Sequence, residues 1–303
     1  MNTQSKAMNE LDSERIAPAT MSVTRPLYWS IRRELWEYRS IYIAPLVVAA
    51  VTLFGFLIAT IGRAMSVTDL ARRQAVLEEP YNFASLLIMG TTFVVAVFYC
   101  LDALHGERRD RSILFWKSLP VSDLTVVLSK ASIPLLILPL LTFAITVVMQ
   151  LIMLLLSGLV LVGSGLSVTK LWTHFSFFQM SLMLLYHLVA IHGLWYAPFY
   201  GWLLLVSGWA RRAAFLWAAL PLLAIGIVEK IAFNTSHFGA MLGSRLTGGP
   251  EGAVSDAAGM SMDPLTHVHP LQFLISPGLW IGLAIAAAFL AAAVRLRRYQ
   301  GPI

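Results

Sequence analysis

Residues 83–101, FASLLIMGTTFVVAVFYCL, carry no charge, and residues 105–122, HGERRDRSILFWKSLPVS, follow almost at once. The first piece reads as a membrane-crossing helix, because roughly 20 apolar residues rising ~1.5 Å each cover a hydrocarbon core of about 30 Å. The second packs five charges into Glu107 to Arg111 and then sets four large apolar residues, Ile113, Leu114, Phe115 and Trp116, in a row. A loop between two spans needs only to be polar. A dense apolar cluster there implies a surface that docks onto another body.

Outward from this stretch the same apolar pattern recurs. The 303 residues are 58% hydrophobic and 13% charged, which is too apolar for a soluble fold. Ten-residue alternating strands are absent, so helices and not a barrel must satisfy the backbone in lipid. The expected fold is an all-α integral membrane protein with six spans, at about 43–62, 83–101, 124–157, 177–208, 213–231 and 277–294. Pro134 and Pro139 are expected to kink the third span.

Residues 1–24 are polar and mixed in charge, a disordered tail and not a signal peptide. Residues 25–40, RPLYWSIRRELWEYRS, place Leu27, Ile31, Leu35 and Tyr38 at helical spacing. They read as an amphipathic helix lying in the interface, with Trp29 and Trp36 at headgroup level. The remainder, 25–303, reads as a single transmembrane domain, with a segment at 232–276 between the last two spans. Within that segment Leu271 to Ile275 is too short to span and, turned by Ser276 and Pro277, reads as a re-entrant helix before span six.

The net charge of +6 comes from basic residues beside the spans and not from an aromatic-interleaved stripe, so nucleic acid is not expected as a partner. Uncompensated lysine and arginine gather before span one, after span two, at Arg211 and Arg212, and after span six. The positive-inside rule then puts both termini and the 105–122 loop in the cytosol, and residues 232–276 outside. The lone cysteine, Cys100, excludes an intrachain disulfide or a thiolate metal cluster.

Sources of energy and chemistry are sparse. The glycine-rich pieces GSGLSVTK at 163–170 and GGPEG at 248–252 both miss the phosphate-loop spacing. Charges such as Asp102, Glu229 and Lys230 sit at span ends, where anchoring explains them, although an ion-coupled carrier is an alternative. His187 and His192 are about 140° apart on an α-helix and so do not form a metal face; His267 and His269 near Asp263 are only a faint metal motif. An intramembrane enzyme built on these histidines is a further alternative, and no metal site is assigned. Tyr186, His187, His192, Trp195 and Tyr196 in span four are candidates for lining a substrate path.

With the layout in place, the loop ERRDRSILFWKSLPVSD resembles that of the permease subunits of ABC-2-type exporters. The likeness is tight over about twenty residues and loose over the topology. In that family the glutamate-containing loop carries a short coupling helix, followed by a leucine-proline-valine-serine element that opens span three. The matching positions here are Glu107, Arg108, Arg109, Arg111, Ser112, Leu114, Leu119, Pro120, Val121 and Ser122. Where many members have glycine and threonine, this chain has Arg111 and Ser112, and its outer segment is longer than a hairpin.

The resemblance implies a transport subunit of a bacterial cytoplasmic membrane, without its own ATPase site. ATP and magnesium would bind separate cytosolic ABC ATPase subunits, and a second permease copy or paralogue would complete the assembly in membrane lipid. The expected docking residues are Glu107, Arg108, Arg109, Asp110, Arg111, Ser112, Ile113, Leu114, Phe115, Trp116, Leu119 and Pro120. Ile113, Phe115 and Trp116 would supply apolar knobs and the arginines a charged rim.

Overall fold

The computed structural model describes residues 24–63, 72–119, 121–163, 177–247 and 270–303, and the regular structure among them is helical. Most of the expected tail at 1–24, Pro120, and residues 248–269 with His267 and His269 lie outside the described residues. In chain order the helices are α1 (Thr24–Glu37), α2 (Ser40–Arg63), α3 (Arg72–Ala103), α4 (His105–Arg109), α5 (Ser112–Ser118), α6 (Asp123–Ser132) and α7 (Leu138–Gly163). There follow α8 (Phe177–His187), α9 (Ala197–Trp209), α10 (Ala214–Phe233), α11 (His237–Thr247), α12 (Pro270–Ile275) and α13 (Pro277–Tyr299). Two π-helical segments, Ile133–Ile137 and Leu188–Trp195, join α6 to α7 and lead from α8 towards α9.

Five stretches are long and apolar enough to cross a membrane: Ser40–Ala59, Pro80–Arg109, Asp123–Leu159, Ala214–Phe233 and Pro277–Tyr299. Met180–Trp195 and Ala197–Trp209, bent by 45°, add a sixth if they are one span. The architecture is that of a multi-pass helical membrane protein.

The departures from α-helical winding have local causes. Pro134 lacks an N–H and its ring crowds the carbonyl four residues back, and the chain winds as a π-helix there. Beyond the second π-segment, Pro198 lies in the first turn of α9, a position that needs no donor. The two π-segments touch at backbone level: a Cβ on Gly193 would lie 2.9 Å from the Leu135 carbonyl.

Lipid tails are as apolar as leucine, so helices in a membrane are joined by close packing of small residues and by polar pairs. Both devices occur. Gly201 of α9 lies against the α13 backbone, where a Cβ would meet the Ala286 carbonyl at 3.3 Å. Between α3 and α7, Thr92 pairs with Thr142 at 2.8 Å and Gln150 donates to Ser85 at 2.9 Å. The main core joins Ile41, Tyr99, Cys100, Trp195, Tyr200 and Leu204; a second cluster, with Phe56, Tyr81, Ile88, Met149 and Met153, fills the other end of α2, α3 and α7. By contrast α10 is apolar nearly all round and largely exposed, a surface suited to lipid.

At one end of the bundle α11 folds back over the second π-segment. Glu229 accepts from the backbone N–H groups of His237 and Phe238 and from the Thr235 hydroxyl, so it caps the start of α11. Tyr196 donates to the Leu246 carbonyl at 2.8 Å, and the Arg245 guanidinium lies 4.0 Å over the Trp195 ring while donating to the Gly278 carbonyl.

Candidate functional site

The opposite end of the bundle carries α4 and α5. The chain breaks at Leu104 because Ser207 of α9 takes over two backbone donors: its Oγ accepts from Leu104 N–H at 3.0 Å and from His105 N–H at 2.9 Å. One turn further on, Arg108 turns inward and donates to the carbonyls of Gly208 at 2.6 Å and Ala210 at 3.3 Å. A guanidinium there satisfies the free carbonyls at the C-terminus of α9 and lies at the negative end of its dipole. Its own carbonyl accepts from Ile303 N–H at 3.2 Å, and its Nε donates to Gly301.

Glu107 is the hub. It is 3% exposed and meets three cations from three helices: Lys130 of α6 at 3.2 Å, Arg33 of α1 at 3.6 Å, and Arg297 of α13. Lys130, 1% exposed, also donates to Glu34 of α1 at 2.8 Å, and Tyr99 of α3 donates to the other oxygen of Glu34 at 2.8 Å. Arg297 further reaches Asp123 at 3.2 Å, and Arg33 pairs with Glu37 at 2.9 Å. Three cations thus meet four carboxylates, those of Glu34, Glu37, Glu107 and Asp123, and each of the buried charges has an opposite charge beside it, which is the condition under which buried charge is tolerated.

Around this hub the loop is fastened further. Tyr38 donates to Asp102 at 3.1 Å, and Arg109 approaches the same carboxylate at 3.7 Å. Burial, followed by the carboxylates of Asp102, Glu34 and Glu37, holds the Tyr38 phenol far above its usual pKa, so it remains a donor. Asp110 and Arg111 form the turn into α5, Arg111 in the left-handed region at φ 60°. Ser112 donates weakly to the Glu107 carbonyl at 3.4 Å, and Lys117 donates to the Gln300 carbonyl at 2.9 Å. After Leu119, Ser122 caps α6 by accepting from Thr125 N–H at 3.1 Å, as its place ahead of Asp123 indicates.

The candidate docking residues therefore divide. Glu107, Arg108 and Ile113 point into the protein, and Trp116 is half-buried beneath the Arg33 guanidinium, 3.5 Å from its ring centroid. Leu114 and Phe115 are 57% and 60% exposed, and Arg109, Asp110, Arg111 and Lys117 are exposed as well. What the loop offers outward is a small exposed apolar pair on α5, a helix held by buried Ile113, by the Arg33–Trp116 contact and by Lys117, and preceded directly by the buried ion pairs of Glu107. Pro120 lies outside the described residues.

The span-four candidates pack inside the bundle. Tyr186 and Trp195 both lie against the Phe273 ring, and His192, Trp195 and Tyr196 are buried. The α-helical separation of the two histidines does not hold in the structure: the intervening residues wind as a π-helix, whose bonds join residues five apart, and the ring centroids of His187 and His192 stand 6.0 Å from each other. Among the described residues no group of three or more histidine, cysteine or acidic side chains forms a metal cluster.

Sequence reasoning missed Arg33, Glu34, Lys130 and Arg297 as site residues. Lys130 was the available signal, an isolated cation within a long apolar run. Comparisons with protein-family models, with curated proteins and with solved structures give no match to this chain.

Proposed function

We propose that this chain is the membrane-spanning subunit of an ATP-driven exporter of the ABC-2 type, with α5 as the coupling helix on which a separate cytosolic ATPase docks. The observation that carries the reading is the contrast within 105–119. Leu114 and Phe115 face outward, while Glu107, Arg108, Ile113 and Lys117 bind the same segment to α1, α6, α9 and α13. A rigid contact of this kind passes motion of a docked body into the ends of the spans, whereas a floppy loop would absorb it. In this reading Met180–Trp209 is one bent span, giving six, with both ends of the chain and α5 on the cytosolic side of a bacterial cytoplasmic membrane. The short α12 leading into α13 is the re-entrant element, and a second copy or paralogue completes the path.

The test is co-purification with a candidate cassette ATPase, with ATP hydrolysis measured in nanodiscs. Leu114→Ala/Phe115→Ala should release or uncouple the ATPase, a buried interface aromatic being worth about 2 kcal/mol or more. Insertion and monodispersity should not change, since both side chains are exposed. Full complex and full stimulated hydrolysis in that variant sink the proposal. Solute movement driven by an ion gradient without any ATPase would favour a carrier instead.

A further inference from the structure

The helix α1 has three faces, and among the described residues only two are used. Ile31, Glu34 and Leu35 pack inward, Glu34 reaching Tyr99 and Lys130. A flank carries Arg33 and Glu37, pairing with each other, with Arg33 also reaching Glu107 and Trp116. The third face carries Arg25, Tyr28, Trp29, Arg32 and Trp36, which fall within a sector of about 100° at helical spacing, and all five are exposed. It contains no acidic residue. Ile31 and Leu35 are thus spent on the bundle, and Trp29 and Trp36 stay outside it.

On this third face the Arg32 guanidinium stands between two indoles, 5.2 Å from the Trp29 ring and 4.8 Å from the Trp36 ring. Rings on either side hold the planar cation in place, and its N–H groups remain available to a phosphate. The depth also fits. Glu34 is bonded to Tyr99 near the end of α3 and to Lys130 in the last turn of α6, seven residues into the span that opens at Asp123, so α1 packs against the end portions of two spans, and α2 starts as the next span at Ser40. Tryptophan, tyrosine and arginine are the side chains that suit the headgroup layer, where one part of the ring is apolar and the other wet.

We propose that the outward face of α1 is a binding site for anionic phospholipid headgroups, with Arg32 clamped by Trp29 and Trp36 as its centre and Arg25 adding charge. The proposal needs only the membrane reading and is independent of the ATPase partner. Native mass spectrometry of the purified full chain tests it, with phosphatidylglycerol and phosphatidylcholine of matched acyl chains as probes. The wild type should retain phosphatidylglycerol in preference, and Arg25→Gln/Arg32→Gln should reduce that preference about tenfold, in line with the attraction of surface basic residues to anionic lipid. Trp29→Ala/Trp36→Ala should weaken retention while leaving the net charge unchanged. Arg211→Gln/Arg212→Gln, at two exposed arginines outside α1, should keep the preference and so shows that general basicity is not the cause. Equal retention of the two lipids by the wild type overturns the proposal, as does an undiminished preference in the α1 variants. Loss of a protein partner with lipid selectivity intact would assign the face to that protein and overturn it as well. All four α1 side chains changed are exposed, and a monodisperse profile confirms that each variant is folded.

Discussion

The ammonium of Lys130 stands 2.8 Å from Glu34 Oε1, and neither side chain is more than 2% exposed. Glu107, 3.2 Å away on the other side, makes this lysine the cation shared by two carboxylates from different helices. Removing it leaves two buried negative charges, one of them still answered by Arg297 and Arg33. Lys130→Met should therefore destabilise the protein by about 3–5 kcal/mol, the cost of breaking one side of a buried pair. Glu34→Gln/Lys130→Met should recover a substantial part, because the amide oxygen introduced in place of the carboxylate can still accept from Tyr99. Thermal unfolding in detergent, followed by loss of monodispersity, measures both; a double variant as unstable as the single one would show that the pair is not the source.

The contact between α9 and α13 rests on Gly201, where a Cβ would stand 3.3 Å from a backbone carbonyl and 3.4 Å from a Cα. Backbone cannot move aside as a flexible side chain can, so Gly201→Ala should cost about 1–3 kcal/mol by forcing the helices apart. Gly226 in α10 has nothing within 4 Å of its would-be Cβ. There Gly226→Ala should be neutral or stabilising by up to about 1 kcal/mol, since alanine loses less backbone freedom in a helix. The two melting temperatures compared with wild type decide the matter.

Much of this fold was legible in the sequence, and the reason is physical. A bilayer demands long apolar runs, so the ranges expected for spans one, two, five and six fall inside α2, α3, α13 and, save for one residue, α10. Winding was not legible. Nothing in the run from Leu188 to Trp195 distinguishes π from α bonding, and the choice sets whether His187 and His192 stand apart or together. Nor was the hub, because Glu107 meets Arg297 across 190 positions and Arg33 across 74, and such pairings depend on how the helices pack. The spacing of α1 showed an apolar side but not what it would cover; the bundle took it, which left the tryptophans outside.

The sidedness proposed from the lysine and arginine distribution is open to direct measurement. In a Cys100→Ala background, cysteine at Ser118 should react with an impermeant maleimide only after the membrane is opened, and cysteine at Gly249 should react in intact cells. Ser118 is exposed at the end of α5 and donates to Phe115 within its own helix, so the change should disturb little else. Labelling of position 118 from outside would reverse the orientation and place α5 beyond reach of a cytosolic ATPase.

Arg111 adopts φ 60° and ψ 7° at the start of α5, a left-handed conformation that brings the Cβ of an L-residue close to a carbonyl oxygen. Its side chain is exposed, so the backbone geometry should dominate the effect of substitution. Glycine, the residue at the matching position of many proteins that the loop resembles, adopts this region without steric cost. Arg111→Gly should thus stay within about 1 kcal/mol of wild type, the relief of strain offset by the greater freedom of glycine when unfolded. Arg111→Val, branched at Cβ, should destabilise by roughly 1–2 kcal/mol more than the glycine variant. Its effect should extend beyond stability, because this turn sets the direction of α5 relative to Glu107. If α5 docks a partner, Arg111→Val should weaken that complex more than Arg111→Gly, although both lose the same charge. Equal melting temperatures for the two variants would show that the turn relaxes freely, and that the direction of α5 is set instead by Ile113 and Lys117.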